Sequence, residues 1–130
     1  MESLGKHLIV ELYDCNHKSI TDVKSVEKIM VEAAQTTDAH IVDVIFHSFN
    51  PFGVSGVIVI AESHLAIHTW PEYNYASIDI YTCGDIVDPW KAFNYMEKMF
   101  KAKSANVMEM KRGILKNQSK NKPLKHKVEK

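Results

Sequence analysis

Between residues 62 and 84 the chain gathers its densest set of nucleophiles and acid/base groups: Glu62-Ser63-His64, then His68-Thr69-Trp70-Pro71-Glu72, then Thr82-Cys83-Gly84. A serine hydroxyl can attack the carbonyl of the residue before it and move the acyl group from nitrogen to oxygen. That step needs a strained peptide and a proton-transfer group close by. If a base then takes the Cα proton, the ester eliminates across Cα–Cβ. Hydration of the dehydroalanine leaves a pyruvoyl group and releases ammonia. His68 is the candidate base, because imidazole titrates near neutrality. Each residue also has a plainer reading. Ser63 can be a turn residue at a strand end, His68 a structural hydrogen-bonder, and Cys83 a small packed hydrophobe.

The elements that position these residues follow from hydropathy patterning. His7–Asp14 reads as a strand that ends in a turn at Asp14-Cys15-Asn16. Over Ser19–Thr37 the spacing predicts a helix, with Val23, Val26, Ile29, Met30 and Ala33 on one face and Ser19 or Thr21 as its cap. His40–Phe49 and Val54–Ala61 read as strands around an Asn50–Gly53 turn. Two more strands, His64–Thr69 and Ala76–Thr82, flank a Pro71–Tyr75 loop. Asp88-Pro89 starts a helix that runs to about Lys103, with Trp90, Phe93, Met96, Met99 and Phe100 as its buried face. Val107–Lys111 reads as a last strand, and Gly113 ends the folded region. This order predicts an α+β, two-layer domain: an antiparallel sheet with helices on one face.

Alternation sorts the strands by face. Leu65, Ile67, Ile78 and Ile80 belong under the helices, whereas His68, Trp70, Asp79, Tyr81 and Cys83 belong to the opposite face. Val57 and Val59 alternate with Ile58 and Ile60, so that strand is apolar on both sides. One layer of helices covers one face only. We therefore expect a homodimer packed sheet to sheet, in four αββα layers, with the reactive residues near the seam. By the same parity Ser63 and His68 point to opposite faces. Either the chain turns sharply at Ser63, or the histidine that serves it belongs to the other subunit.

The chain has 130 residues, 45% hydrophobic and 25% charged, as expected for one ordinary globular domain. Its formal net charge is zero, which gives no basis for nucleic-acid binding. That balance hides a split: residues 116–130 hold six lysines against Glu129, a net +5, and residues 1–115 carry −5. The basic tail reads as a solvated, disordered terminus after a single domain spanning 1–115. Cys15 and Cys83 are the two thiols, and no apolar leader opens the chain, so a reducing, cytoplasmic setting is expected. The longest apolar run, Val57–Ala61, is too short to span a bilayer.

His47, Gly53-Val54-Ser55-Gly56-Val57, Glu62-Ser63-His64, Ile67 through Glu72 and Ala76 through Cys83-Gly84 form a linked pattern, with Gly5-Lys6-His7 and Glu11-Leu12 near the start. In order and spacing it resembles the small prokaryotic-type S-adenosylmethionine decarboxylase proenzymes, over roughly residues 4–113. The resemblance implies self-cleavage between Glu62 and Ser63 into a 1–62 β chain and a 63–130 α chain. It implies that Ser63 becomes the covalent pyruvoyl cofactor, which binds the substrate amine as a Schiff base and serves as electron sink. It further implies that His68 assists processing, with Ser55 helping, and that Cys83 returns the proton in decarboxylation. Phe49 and Glu72 are implied in holding the adenosyl part, by stacking and through the ribose hydroxyls, with Trp70 as a further candidate. The family implies active sites at a dimer interface, in an α2β2 assembly. The product, decarboxylated S-adenosylmethionine, supplies aminopropyl groups for spermidine synthesis.

Three other readings compete. A paralogue on the same scaffold would decarboxylate another amino acid, such as arginine. A metal site could draw on His47, His64, His68 and Cys83, but His64 and His68 lie about 13 Å apart at strand rise, too far for one ion; no metal is expected. A processing-dead regulatory subunit would lack the reactive residues, and Ser63, His68 and Cys83 are all present.

Overall fold

The computed structural model of the chain describes residues 3–115, so the lysine-rich tail lies outside the described residues. Six strands and three helices follow in the order β1 (Gly5–Tyr13), α1 (His17–Thr21), α2 (Val23–Gln35), β2 (Ile41–Ser48), β3 (Val54–Ile60), β4 (Ser63–Trp70), β5 (Tyr75–Cys83), α3 (Pro89–Met99) and β6 (Ser104–Arg112). The strands form one sheet in the order β2-β3-β4-β5-β1-β6, and every neighbouring pair is antiparallel. The expected α+β architecture is borne out.

The core lies between one sheet face and the helices. Leu8, Val10, Leu12, Ile58, Leu65, Ile67, Ile78 and Ile80 rise from the sheet, and Val26, Met30, Ala33 and Met96 descend from α2 and α3. Burying one such aliphatic side chain stabilises the fold by about 1.5–3 kcal/mol. The four sheet residues assigned to the helix side by alternation, Leu65, Ile67, Ile78 and Ile80, are all buried.

Several elements differ from the sequence expectation. The helix expected over residues 19–37 is two helices. Asp22 is extended between them (φ −86°, ψ 122°) and accepts a bond from Ser25 Oγ at 3.2 Å. Asp favours helix starts over interiors because its carboxylate competes with the backbone for donors. Ser19 and Thr21 therefore cap nothing, and Asn16 caps α1 by accepting from Ser19 N. Helix α3 starts as expected, with Asp88 accepting from Trp90 N and Pro89 in the first turn. It stops at Met99 rather than Lys103, because the left-handed Lys101 (φ 55°) turns the chain into β6. Phe93, Met96 and Phe100 are buried as expected, but Met99 is 38% exposed, and Trp90 is 37% exposed and donates its indole N–H to Glu109. β6 is longer than expected, because it pairs with β1 from Tyr13 back to Gly5.

Gly56 of β3 sits opposite Phe46 of β2, and a β-carbon at Gly56 would fall 2.1 Å from the Phe46 ring. The aromatic ring lies flat across the glycine and fills the space that a side chain would take. We expect Gly56→Ala to destabilise the domain by about 1–3 kcal/mol, the cost of overpacking. Denaturant melts of parent and variant measure it; equal midpoints would show that Phe46 moves aside freely.

Candidate active site

Ala61 and Glu62 alone join β3 to β4, and the register pairs Ile60 with Ser63. Glu62 occupies the left-handed region at φ 58°. A residue with a β-carbon holds about 1–3 kcal/mol of strain there. The strain lies at the residue whose carbonyl Ser63 would attack.

Ser63 begins β4 on the helix side of the sheet, only 9% exposed. Its Oγ accepts the backbone N–H of Cys83 at 3.1 Å. The Cys83 thiol, at the end of β5, donates to the Glu62 carbonyl oxygen at 2.8 Å. The Ser63 hydroxyl, the carbonyl it would attack and a donor for that carbonyl's oxygen are thus gathered within one chain. A donor on that oxygen is what an acyl transfer needs as negative charge develops there.

A second cluster forms at the other end of β4. Ser55 and His68 are Cα partners across β3 and β4, and Ser55 Oγ meets His68 Nδ1 at 2.7 Å. Trp70 lies beside His68 and is tilted against Tyr75. Phe49, just after β2, packs edge-on against His47 with centroids 4.5 Å apart. Glu72 lies exposed in the 3₁₀ turn Pro71–Tyr73 that follows Trp70. His68 and Cys83 share the uncovered sheet face, as alternation predicts. Ser63 and His68 do not come together: five residues at strand rise separate them by roughly 17 Å. The turn at Glu62 leaves β4 straight from Ser63 onward, so a bend at Ser63 is not how the two could meet.

Patterning alone missed the surroundings of Tyr81. His7 Nε2 lies 3.1 Å from Asp79, Arg112 bonds to His7 Nδ1, and the Arg112 guanidinium stands over the Tyr81 ring. Parity places Tyr81 on the face of Cys83, but only the β1 pairings bring His7 and Arg112 there. Among the described residues no group of three or more His, Cys, Asp or Glu side chains is gathered to hold a metal. His64 packs with His7 and Tyr81 instead.

Comparison with known proteins decides the family. The S-adenosylmethionine decarboxylase family model matches residues 6–113. The chain belongs to the S-adenosylmethionine decarboxylase family. It is 57% identical over 113 residues to an S-adenosylmethionine decarboxylase proenzyme of Thermosipho melanesiensis, covering 87% of each chain. It is 56% identical over 115 residues to the proenzyme of Carboxydothermus hydrogenoformans, covering 88% of this chain and 91% of that one. The crystal structure of the adenosylmethionine decarboxylase from Aquifex aeolicus superposes with a TM-score of 0.85 at 29% identity, over 93% of this chain and 100% of that one. No helix among the described residues is long and apolar enough to cross a membrane.

One titrating group at this site yields a test. Burial lowers the pKa of His64 below the usual histidine value, and His7 beside it acts in the same direction once it is protonated. As pH falls, the unfolded chain takes up this proton before the folded one does. Stability is therefore complete above the ordinary histidine range and declines as pH drops below about 6.5. Melts of the parent and of His64→Gln on either side of that value should show a shallower decline in the variant. Equal slopes would assign the acid sensitivity to other groups.

Proposed function

We propose that this member of the family is a proenzyme that cuts itself between Glu62 and Ser63 and then decarboxylates S-adenosylmethionine. The observation that carries the reading is the Cys83 thiol bonded to the carbonyl of a strained Glu62, beside Ser63 Oγ. Ser63 Oγ attacks the Glu62 carbonyl carbon, and the peptide C–N bond breaks to leave an ester. Loss of the Ser63 Cα proton expels the Glu62 carboxylate from Cβ. Water adds at Cα, ammonia departs, and residue 63 carries a pyruvoyl group at the new N-terminus. The strained turn, the buried hydroxyl and the two Cys83 donors fit this chemistry. When formed, the group supplies the electron sink for decarboxylation. Cys83 then holds the proton that returns to the substrate carbon. Arginine-type paralogy has no comparable support, since the curated relatives are decarboxylases of S-adenosylmethionine by name.

The base for processing is His68 of a second subunit. If Nδ1–H donates to Ser55 Oγ, Nε2 is free to take a proton; Ser55 thus sets the tautomer. Phe49, Trp70 and Glu72 lie at the same end, suited to stacking on an adenine ring and to bonding ribose hydroxyls. The uncovered face supports a homodimer of processed αβ units: Ile45 is 55% exposed and Met108 61%, with Ile9, Val59 and Met110 also exposed. A two-fold axis lying between the sheets and across their strands sets the Ser63 end of one over the Ser55–His68 end of the other. Two identical sites result.

Purified wild-type protein should appear by intact mass as residues 1–62 and a blocked fragment starting at residue 63, while Ser63→Ala stays whole. Cys83→Ala should cleave more slowly, yet lose about 100-fold or more in CO₂ release, the scale of a missing general acid. A full-length, fully active wild-type chain would sink the pyruvoyl mechanism.

The shared site has its own test, a mixed dimer of Ser63→Ala and His68→Ala chains. If Ser63 uses the partner's histidine, one site carries both lesions and the other none, so cleavage and activity return. If the pair works within one chain, every site carries one lesion and mixing restores nothing. No recovery in a verified mixed dimer would refute the shared site.

A further inference from the structure

The uncovered face carries a polar cluster to which neither cleavage nor substrate capture assigns a role, and it converges on Tyr81. Gly5 is the Cα partner of Cys83 on one side and of Arg112 on the other. A β-carbon on Gly5 would lie 3.0 Å from the Tyr81 hydroxyl and 2.8 Å from the Thr82 carbonyl oxygen. The glycine is what lets the tyrosine lie across β1. Because Gly5 pairs with Cys83, a hydroxyl over Gly5 lies beside the Cys83 side chain on the open face. The neighbouring thiol first, and burial second, raise the Tyr81 pKa, so the phenol keeps its proton. The thiol's own proton goes to the Glu62 carbonyl oxygen.

The ring has little freedom. The Arg112 guanidinium stands 5.6 Å from its centroid, and the rings of His7 and His64 meet it at 5.8 and 5.6 Å. Arg112 Nη1 donates to His7 Nδ1 at 3.1 Å. Arginine accepts nothing, so that nitrogen carries the lone pair, and Nε2–H donates to Asp79 at 3.1 Å. The chain of contacts runs from Asp79 through His7 and Arg112 to the tyrosine.

We propose that Tyr81 is a positioning residue for Cys83: its hydroxyl, held over Gly5 by Arg112 and the His7–Asp79 pair, aims the thiol proton at the Glu62 carbonyl. A thiol with one partner can rotate among three staggered wells. A second partner on the sulfur selects one of them. The role rests on the self-cleavage reading and adds a residue to it.

Tyr81→Phe keeps the ring and its neighbours and removes one oxygen. Cleavage of the freshly translated full chain, followed by intact mass, should slow about tenfold with the melting temperature unchanged, a fraction of the roughly 10²–10³ that loss of a transition-state donor costs. In a Cys83→Ala background the same change should have no further effect, because Tyr81 acts through the thiol. Cleavage of Tyr81→Phe at the wild-type rate, or equal slowing in both backgrounds, would overturn the proposal. A second readout does not require cleavage. In the Ser63→Ala chain, iodoacetamide should alkylate Cys83 at least threefold more slowly when Tyr81 is Phe, because the thiolate loses a donor; an unchanged rate would show that Tyr81 does not hold the thiol. A wild-type chain that stays whole overturns the self-cleavage reading and this role with it, while the alkylation result still decides the contact.

Discussion

Two residues, Ala61 and Glu62, carry the chain from β3 into β4, and so short a turn leaves the register little freedom. Ser63 must fall on the buried side, and every second residue of β4 after it enters the core. Closing the turn puts Glu62 in the left-handed region and leaves its carbonyl oxygen within reach of the Cys83 thiol on β5. Pairing of β4 with β5 brings Cys83 beside Ser63, and pairing of β5 with β1 places Gly5 beyond it. A shift of one residue in any of these ladders would invert the face and disperse the cluster.

The sheet divides its two faces between stability and chemistry. The helix side is filled with aliphatic side chains and needs nothing from a partner. The other side mixes exposed apolar residues with His7, His64, His68, Tyr81 and Cys83. Such a surface suits the sheet-to-sheet pairing proposed above better than it suits a free exterior. The separation of Ser63 from His68 points the same way. Their distance is fixed by backbone rise, which no side-chain rotation can shorten to contact.

What could be read from the sequence depended on how local the determining contacts are. Alternation placed Leu65, Ile67, Ile78 and Ile80 in the core, and put His68 and Cys83 together on the open face, because strand parity needs no knowledge of neighbours. The break at Asp22 was missed because the apolar spacing continues in phase across it, and only the extended backbone of Asp22 marks the boundary. The length of β6 was missed because β1, almost the whole chain away, supplies its partners. Linked motifs pointed to Ser63, Cys83 and His68, yet nothing local reveals that Gly5 is vacant for the Tyr81 hydroxyl.

The two cysteines show that surroundings, rather than residue type, assign the chemistry. Cys15 is buried after β1 and gives its proton weakly to the Leu12 carbonyl at 3.7 Å. Burial, with the Asp14 charge beside it, pushes that thiol up to about 11, so it holds its proton throughout the physiological range and acts as packing. Cys83 is half-buried at a strand end, where its N–H meets Ser63 and its thiol meets Glu62. The Tyr81 phenol lies over Gly5, the strand partner of Cys83, and an arginine stands over that phenol. A thiol bonded to the Glu62 carbonyl, with the phenol donor proposed above, has one proton to give and a fixed direction in which to give it. On the self-cleavage reading proposed above, one thiol serves the Glu62 carbonyl oxygen before cleavage and a substrate carbon after it.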